Sequence, residues 1–455
     1  MNDIRLLANG LVGNGFSYRG FQAGLDRRPH MIGCDAGTSD YGPGPLGSGR
    51  DIKPPASVER DLEIMFEGAR RLGIPLIIGS CGVAGAAPHL EGYRRIVERL
   101  VADSGRPCRL ALIHSDQDPA LLKAASAAGR VRPLGPVPPL TDAAIDASTH
   151  IVAMAGAAPF IRALDAGADV ILAGRCTDPA IYAGLAMRMG ASPAIAWHAA
   201  RSIDKGMLAT ENVEEGSPVM ATLDDTGFTI EPTKDGARCT VKSIAALTMY
   251  ENPDPWSILQ PSGRISAEHC RFEQLDERSV RVSGSEFFAA GRPSVKLEGA
   301  RPVGHRAAML VGIRDPRLIA ELDDYLDRFG TMIRRTARSL GIAEDSYRFR
   351  FLAYGRDAVM GLREPLRDSP PHEIGLLVDI LASDEADAMA LLARASSTGA
   401  KLAPVRGIPA GGNFAAPFSP NQIPIGPAFE WSVWHLLDCA DESDPFRIEI
   451  MDLQA

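Results

Sequence analysis

From residue 4 to residue 190 the chain repeats one pattern: a short apolar run, a glycine-rich turn, then an amphipathic stretch. The runs fall at 4–8, 31–34, 75–78, 109–114, 151–155 and 170–173. Between them lie helical patterns at 58–72, 89–101, 119–128 and 159–166. In the first of these, Val58, Leu62, Met65, Ala69 and Leu72 keep a three-to-four spacing with charges on the other face, the period of a helix with one buried stripe. Strands alternating with such helices mean βαβ units and a parallel sheet. The runs are apolar throughout rather than alternating, as strands covered on both faces must be. The fold class expected is therefore α/β, a parallel sheet with helices on both faces.

After Gly190 the pattern changes. Residues 193–209 read as a further helix carrying Trp197 and His198. Residues 214–246 alternate like antiparallel strands, with turns at Asp225-Thr226-Gly227 and Lys234-Asp235-Gly236. Alternation returns over 279–311, 316–340 is an amphipathic helix, and 347–353, 373–381 and 386–396 read strand, strand, helix. The division expected is an α/β domain over 1–215 and a C-terminal α+β domain with antiparallel strands over 216–455. At 45% hydrophobic and 23% charged residues the 455-residue chain has apolar surface enough for sizeable cores.

A net charge of −9 argues against a general nucleic-acid or anionic-membrane binder. No segment reaches the ~18 apolar residues of a membrane span. The start, Met1-Asn2-Asp3-Ile4-Arg5, has neither the basic nor the apolar part of a signal peptide. The seven cysteines form no CxxC pair. A cytoplasmic protein with reduced thiols is the expectation.

Ligands of open parallel sheets bind outside the carboxyl ends of the strands, so the loops there carry the functional information. They contain Asn14 and its glycine neighbours, Cys34-Asp35-Ala36-Gly37-Thr38-Ser39-Asp40, Gly79-Ser80-Cys81-Gly82, His114-Ser115-Asp116 and Gly174-Arg175-Cys176-Thr177-Asp178-Pro179. Loops far apart in sequence thus concentrate polar and glycine residues at one edge. A shared site is the economical reading.

The run Gly33 to Pro43, the loop Gly79 to Gly85 and the motif Gly174-Arg175-Cys176-Thr177-Asp178-Pro179-Ala180 resemble those of the acyclic terpene utilisation (AtuA-like) family. Tyr250-Glu251-Asn252-Pro253-Asp254-Pro255, residues 280–285, Val295-Lys296-Leu297-Glu298-Gly299-Ala300 and Gly412-Asn413-Phe414-Ala415-Ala416-Pro417-Phe418-Ser419-Pro420 are similar too, in order over nearly the whole chain. The resemblance implies catabolism of branched, terpene-derived or short carboxylic acids beside acyl-CoA enzymes. It also implies, for larger members, a small extra C-terminal domain; here the sequence stops at Ala455. An acidic-Cys-Gly turn would be expected after the helix at 193–203, and Asp204-Lys205-Gly206 stand there instead. A thiol role at that turn is therefore in doubt.

Each candidate residue carries a functional and a structural reading. Asp35 and Asp40 either hold Mg²⁺ or Mn²⁺ with Asp116 or Asp178, or close glycine turns and cap a helix. Cys34, Cys81 and Cys176 either converge on an iron–sulfur cluster or are small buried hydrophobes. His114 is either a general base oriented by Asp116 or a histidine of the loop wall. Arg175 either anchors a substrate carboxylate or phosphate or pairs with a nearby aspartate. Asn14, Gly37, Thr38, Ser80 and Gly82 are the expected substrate-binding positions, and Asp178 joins the catalytic set. His198 reads as a packed core residue, Lys296 and Glu298 as catalytic or, more simply, as an interdomain ion pair, and 414–420 as a rigid loop packing on the first domain.

There is no GxGxxG fingerprint and no GxxxxGK[ST], so neither NAD nor ATP is expected, and there is no GxSxG elbow. The leading reading is a lyase of carboxylic-acid catabolism, a hydro-lyase or carbon–carbon lyase acting on a small branched or unsaturated acid or its acyl-CoA thioester. The alternative is a non-catalytic ligand-binding or scaffold subunit that needs a partner. Phe429, Trp431 and Val433 alternate as on a strand face, and Trp434 beside them suits an interface. A homo-oligomer or a separate small subunit is the assembly expected.

Overall fold

The computed structural model describes residues 3–211, 216–408 and 412–454. They form two compact units, one comprising residues up to Arg301 together with Trp431 onward, the other Pro302–Glu430.

The first unit is built on a ten-stranded mixed sheet. Its strands are β1 (Ile4–Leu11), β2 (Met31–Gly37), β3 (Leu76–Val83), β4 (Cys108–His114), β5 (Val170–Ala173), β6 (Val219–Leu223), β7 (Gly227–Pro232), β8 (Arg271–Gln274), β9 (Val280–Ser283) and β10 (Arg447–Leu453). The order across the sheet is β8-β9-β7-β6-β1-β2-β3-β5-β4-β10. The five strands from β1 to β4 in that order run parallel, pairing β1 with β2, β2 with β3, β3 with β5 and β5 with β4. Antiparallel strands extend both sides: β6, β7, β9 and β8 beyond β1, and β10 beyond β4. Every residue of β2, β3 and β5 is buried, because helices cover both faces. One face packs Phe160, Tyr182 and Trp197 of the helices Ala157–Asp165, Ala180–Arg188 and Pro193–Ile203. The other packs Phe21, Leu62, Phe66, Tyr93 and Val97 of the helices Tyr18–Asp26, Pro55–Leu72 and Ala87–Ser104.

The fifth apolar run does not enter this sheet. Strand His150–Ala153 instead pairs antiparallel with Leu297 to Ala300, and Ala153 donates its N–H to the Ser115 carbonyl at 2.8 Å. An apolar run announces burial but not which neighbour supplies its hydrogen bonds. Residues 241–246, the end of the stretch whose alternation suggests strands, lie instead in the helix Val241–Met249 capped by Thr240. The segment 216–301 also belongs to the first unit: β6 and β7 lengthen its sheet, so no unit boundary falls at 215.

The second unit has its own core. Tyr347–Tyr354 and Ile374–Ala382 pair antiparallel with each other, and the latter with the part of Ser294–Ile313 that follows His305. Leu322–Ser339 and Glu385–Gly399 cover them, burying Tyr325, Phe329, Ile333, Leu391 and Leu392. The 414–420 segment contributes to this unit rather than to the first: Phe414 packs on Tyr325 and Phe329 with ring centroids 6.4 and 6.0 Å apart.

Candidate functional site

Two irregularities shape the carboxyl ends of the central strands. Between Ala8 and Leu11, β1 has one residue more than β2 spends between Gly33 and Asp35, a bulge with Gly10 at φ +78°. Bulges of this kind re-aim a side chain at a sheet's rim. A second shift lies between Asp35 and Gly37, where β3 spends the residues from Gly79 to Val83. Here a Cβ on Gly37 would lie 2.1 Å from the Val83 carbonyl oxygen. Ser80 and Val83 take φ of +47° and +75°, which a β-branched side chain seldom tolerates. Strain held at the end of a central strand is a mark of functional sites.

Above these irregularities lies a cleft of about 530 Å³ lined by Asn9, Asn14, Asp35, Thr38, Asp178, Asp204 and Lys205, among others. A neighbouring recess of about 290 Å³ shares Thr38, Asp40, Asp178 and Lys205 with it and adds Arg175, Arg201 and Glu251. Asp204 and Lys205 follow directly on the helix Pro193–Ile203, whose end delivers them to the sheet edge.

Charge is densely packed here. Asp35 accepts hydrogen bonds from the Ala36 and Gly37 N–H groups at 2.9 and 3.2 Å. Burial, and then the Asp178 carboxylate, push it well above the usual carboxylate range. Asp204 is buried, and burial raises it to about 7 even though Arg201 lies 3.3 Å away and opposes the shift. Lys205 Nζ sits 3.5 Å from Asp178 and 3.7 Å from Glu251. Burial works against its charge, but Asp178, Asp204 and Glu251 outweigh burial and hold it above its ordinary value.

Arg175 is buried. Its Nε donates to Glu298 at 3.0 Å, Nη1 to Ser80 Oγ at 3.3 Å and Nη2 to Ser39 Oγ at 3.4 Å. A guanidinium has five N–H donors, so these three bonds leave part of its fork uncommitted, and Arg175 lines the smaller recess. Glu298 is itself shared, with Lys296 Nζ at 2.7 Å, and that ammonium lies 3.5 Å from the centroid of the Trp434 ring. Burial opposes ionisation of Glu298, but Arg175 and Lys296 prevail and keep its pKa low. The ion pair expected between Lys296 and Glu298 thus lies within the first unit, behind Arg175.

The structure gathers Asp35, Asp40, Asp178, Arg175, Asn14, Gly37 and Thr38 around these cavities. Ser80 reaches the site through Arg175 and the Cys176 backbone. Gly82 faces away, where an added Cβ would meet His89 at 2.5 Å. The expected His114–Asp116 pair is not formed. His114 Nε2 lies 3.0 Å from Glu449 and 2.8 Å from Arg447 on β10, its neighbour in the sheet. Asp116 instead lies 3.5 Å from His150, because the Asp116–Val152 bridge turns it toward that strand.

The three thiols do not share one core: Cys34 and Cys81 belong to the core on one face of the sheet, Cys176 to that on the other. Burial raises all three. Among the described residues no group of three or more His, Cys, Asp or Glu is arranged to hold a metal ion. His198 is a core residue, hydrogen-bonded to Ser285 at 2.7 Å and Thr248 at 3.0 Å, and burial lowers it to about 4. Asn9, Asp204 and Lys205 were given no role from the sequence, although Asn9 opens a carboxyl-edge loop and Asp204-Lys205-Gly206 stand where the family resemblance expects an acidic-Cys-Gly turn.

Fold and site together define an α/β protein with a cleft of paired carboxylates and cations at the carboxyl edge of its parallel strands. The chain belongs to the acyclic terpene utilisation family: the model of acyclic terpene utilisation family protein AtuA matches residues 56–190 and 204–419. No curated protein and no solved structure matches it. No helix among the described residues is long and apolar enough to cross a membrane.

Proposed function

We propose that the protein, whose family suggests a role in acyclic terpene catabolism, is a lyase acting on a small branched or unsaturated carboxylic acid or its acyl-CoA thioester. One observation carries the reading: carboxyl groups biased toward the protonated state, Asp35 and Asp204, line the same cleft as the cation Lys205. A carboxylic acid whose pKa approaches neutrality both gives and takes a proton at working pH. Addition or removal of water across a carbon–carbon double bond next to an acyl group needs that exchange. So does cleavage of a carbon–carbon bond beside a hydroxyl. Lys205 and the unused donors of Arg175 hold the acyl or carboxylate oxygen and stabilise the negative charge that develops on it.

Turnover is tested by incubating the purified chain with short branched and unsaturated acids and their CoA thioesters and following mass change. Gain or loss of water, or of a two-carbon fragment, is the expected result. Lys205→Ala should lower kcat/KM by about a hundredfold, the scale for loss of one group stabilising developing charge. A panel that binds without any mass change would instead favour a ligand-binding subunit.

A further inference from the structure

Asn9 sits in the β1 bulge, is only 3% exposed and lines the cleft. Neither its side-chain Oδ1 nor its Nδ2 has a hydrogen-bond partner. Asp204 lines the same cleft; one of its oxygens meets Arg201 at 3.3 Å, and its Oδ1 is likewise buried and unpartnered. Buried polar atoms are almost always paired. Three orphaned atoms sit on two residues that line one cavity, where a bound ligand can complete them. What they lack defines it. Asn9 Nδ2 needs an acceptor and Asn9 Oδ1 needs a donor. A plain acyl or carboxylate oxygen satisfies the first and leaves the second orphaned, whereas a hydroxyl beside an acyl oxygen satisfies both.

We infer that Asn9, together with Asp204, reads a hydroxyl group adjacent to the acyl oxygen, so that the ligand of this cleft is a hydroxy acid or hydroxyacyl thioester. The inference rests on the reading of the cleft as an acid or thioester site and narrows it. It also fits both branches of that reading, since the hydrated partner of a hydro-lyase and the substrate of a retro-aldol carbon–carbon lyase each carry a hydroxyl. A site built to bond a hydroxyl discriminates strongly against the analogue that lacks it. The bulge supplies the structural reason: the extra residue turns Asn9 out of the strand's regular alternation.

The test is calorimetric titration of the full chain with 3-hydroxybutyryl-CoA, butyryl-CoA and the two free acids. Wild type should bind the hydroxy ligands about tenfold or more tightly than their deoxy counterparts, one hydrogen bond's worth of selectivity. Asn9→Leu should bring the two within about twofold and should raise Tm, because it removes an unsatisfied buried amide. Asn9→Asp, which keeps the shape but replaces the Nδ2 donor with a second acceptor, should weaken both ligands. Equal binding of both ligand types by wild type, an unchanged preference in Asn9→Leu, or undiminished binding of both ligands by Asn9→Asp overturns the inference and leaves the acid-site reading standing. Binding of none of the four ligands overturns that reading and the inference with it.

Discussion

Glu298 stands between two cations in a buried setting, with Arg175 at 3.0 Å and Lys296 at 2.7 Å. Removing one member of a buried ion network leaves an uncompensated charge, at a cost of about 3–5 kcal/mol. Glu298→Ala should lose stability on that scale by chemical denaturation, with Glu298→Gln losing less. Arg175→Ala should be destabilising as well, contrary to what an exposed substrate anchor would show, because it strips Glu298 of a partner. Asp204 has the opposite character. Its folded pKa, about 7, lies above its ordinary 3.8, so the folded state holds a proton that the unfolded state releases between those values. The stability tied to that proton is fully present below about 4 and is lost as pH rises through 7. Asp204→Asn mimics the protonated form. Its Tm should match wild type near pH 4 and exceed it increasingly toward pH 8; a constant offset would refute the assignment. At this scale sequence goes only part of the way. Arg175, Asp35 and Asp178 were legible because glycine turns place them at strand ends. The partners were not: Glu298 lies 123 positions from Arg175, and His114 found Glu449 rather than the carboxylate two residues along. Pairing over such separations is decided by strand order, which periodicity does not encode.

The elements themselves were more readable. The five parallel strands announce themselves as mainly apolar runs because burial on both faces disfavours polar alternation, and β2, β3 and β5 are buried at every position. The helices Pro55–Leu72 and Pro119–Ala127 fall where the apolar period puts them. Ambiguity entered where one stretch satisfies two periods. Val241-Lys242-Ser243-Ile244-Ala245-Ala246-Leu247 reads as alternation, yet the Thr240–Ser243 capping pair fixes it as a helix. The bulges were not legible at all, since a one-residue excess in β1 exists only relative to β2. They do make a prediction at this scale. Gly37 is pressed so closely on Val83 that Gly37→Ala would force the β2 and β3 ends apart, costing about 1–3 kcal/mol or more as overpacking. The same displacement moves Asp35, so the variant should lose ligand binding along with stability. Binding retained in a destabilised Gly37→Ala protein would separate the strand ends from the site.

Over the whole molecule, apolar burial is divided between cores that do not share residues. The second unit's cluster draws on residues from Ala307 to Phe414 alone, among them Tyr325, Phe329, Val378 and Leu392, while the sheet of the first unit is packed by two clusters of its own. Cooperative unfolding follows contiguous cores, and a chain with separate cores opens in separate steps. Native-state hydrogen exchange should therefore sort amides into at least two groups, one containing β2, β3 and β5, the other Tyr347–Tyr354 and Ile374–Ala382. Phe329 offers the discriminating substitution, being fully buried with Phe351 stacked on it at 5.1 Å between ring centroids. Phe329→Ala should cost about 3–5 kcal/mol in its own core and lower protection there. Amides of β2 and β3 beneath the cleft should exchange as in wild type, and titration of the cleft should be unchanged. Loss of protection in both groups together would mean that the chain unfolds as one unit despite its divided cores.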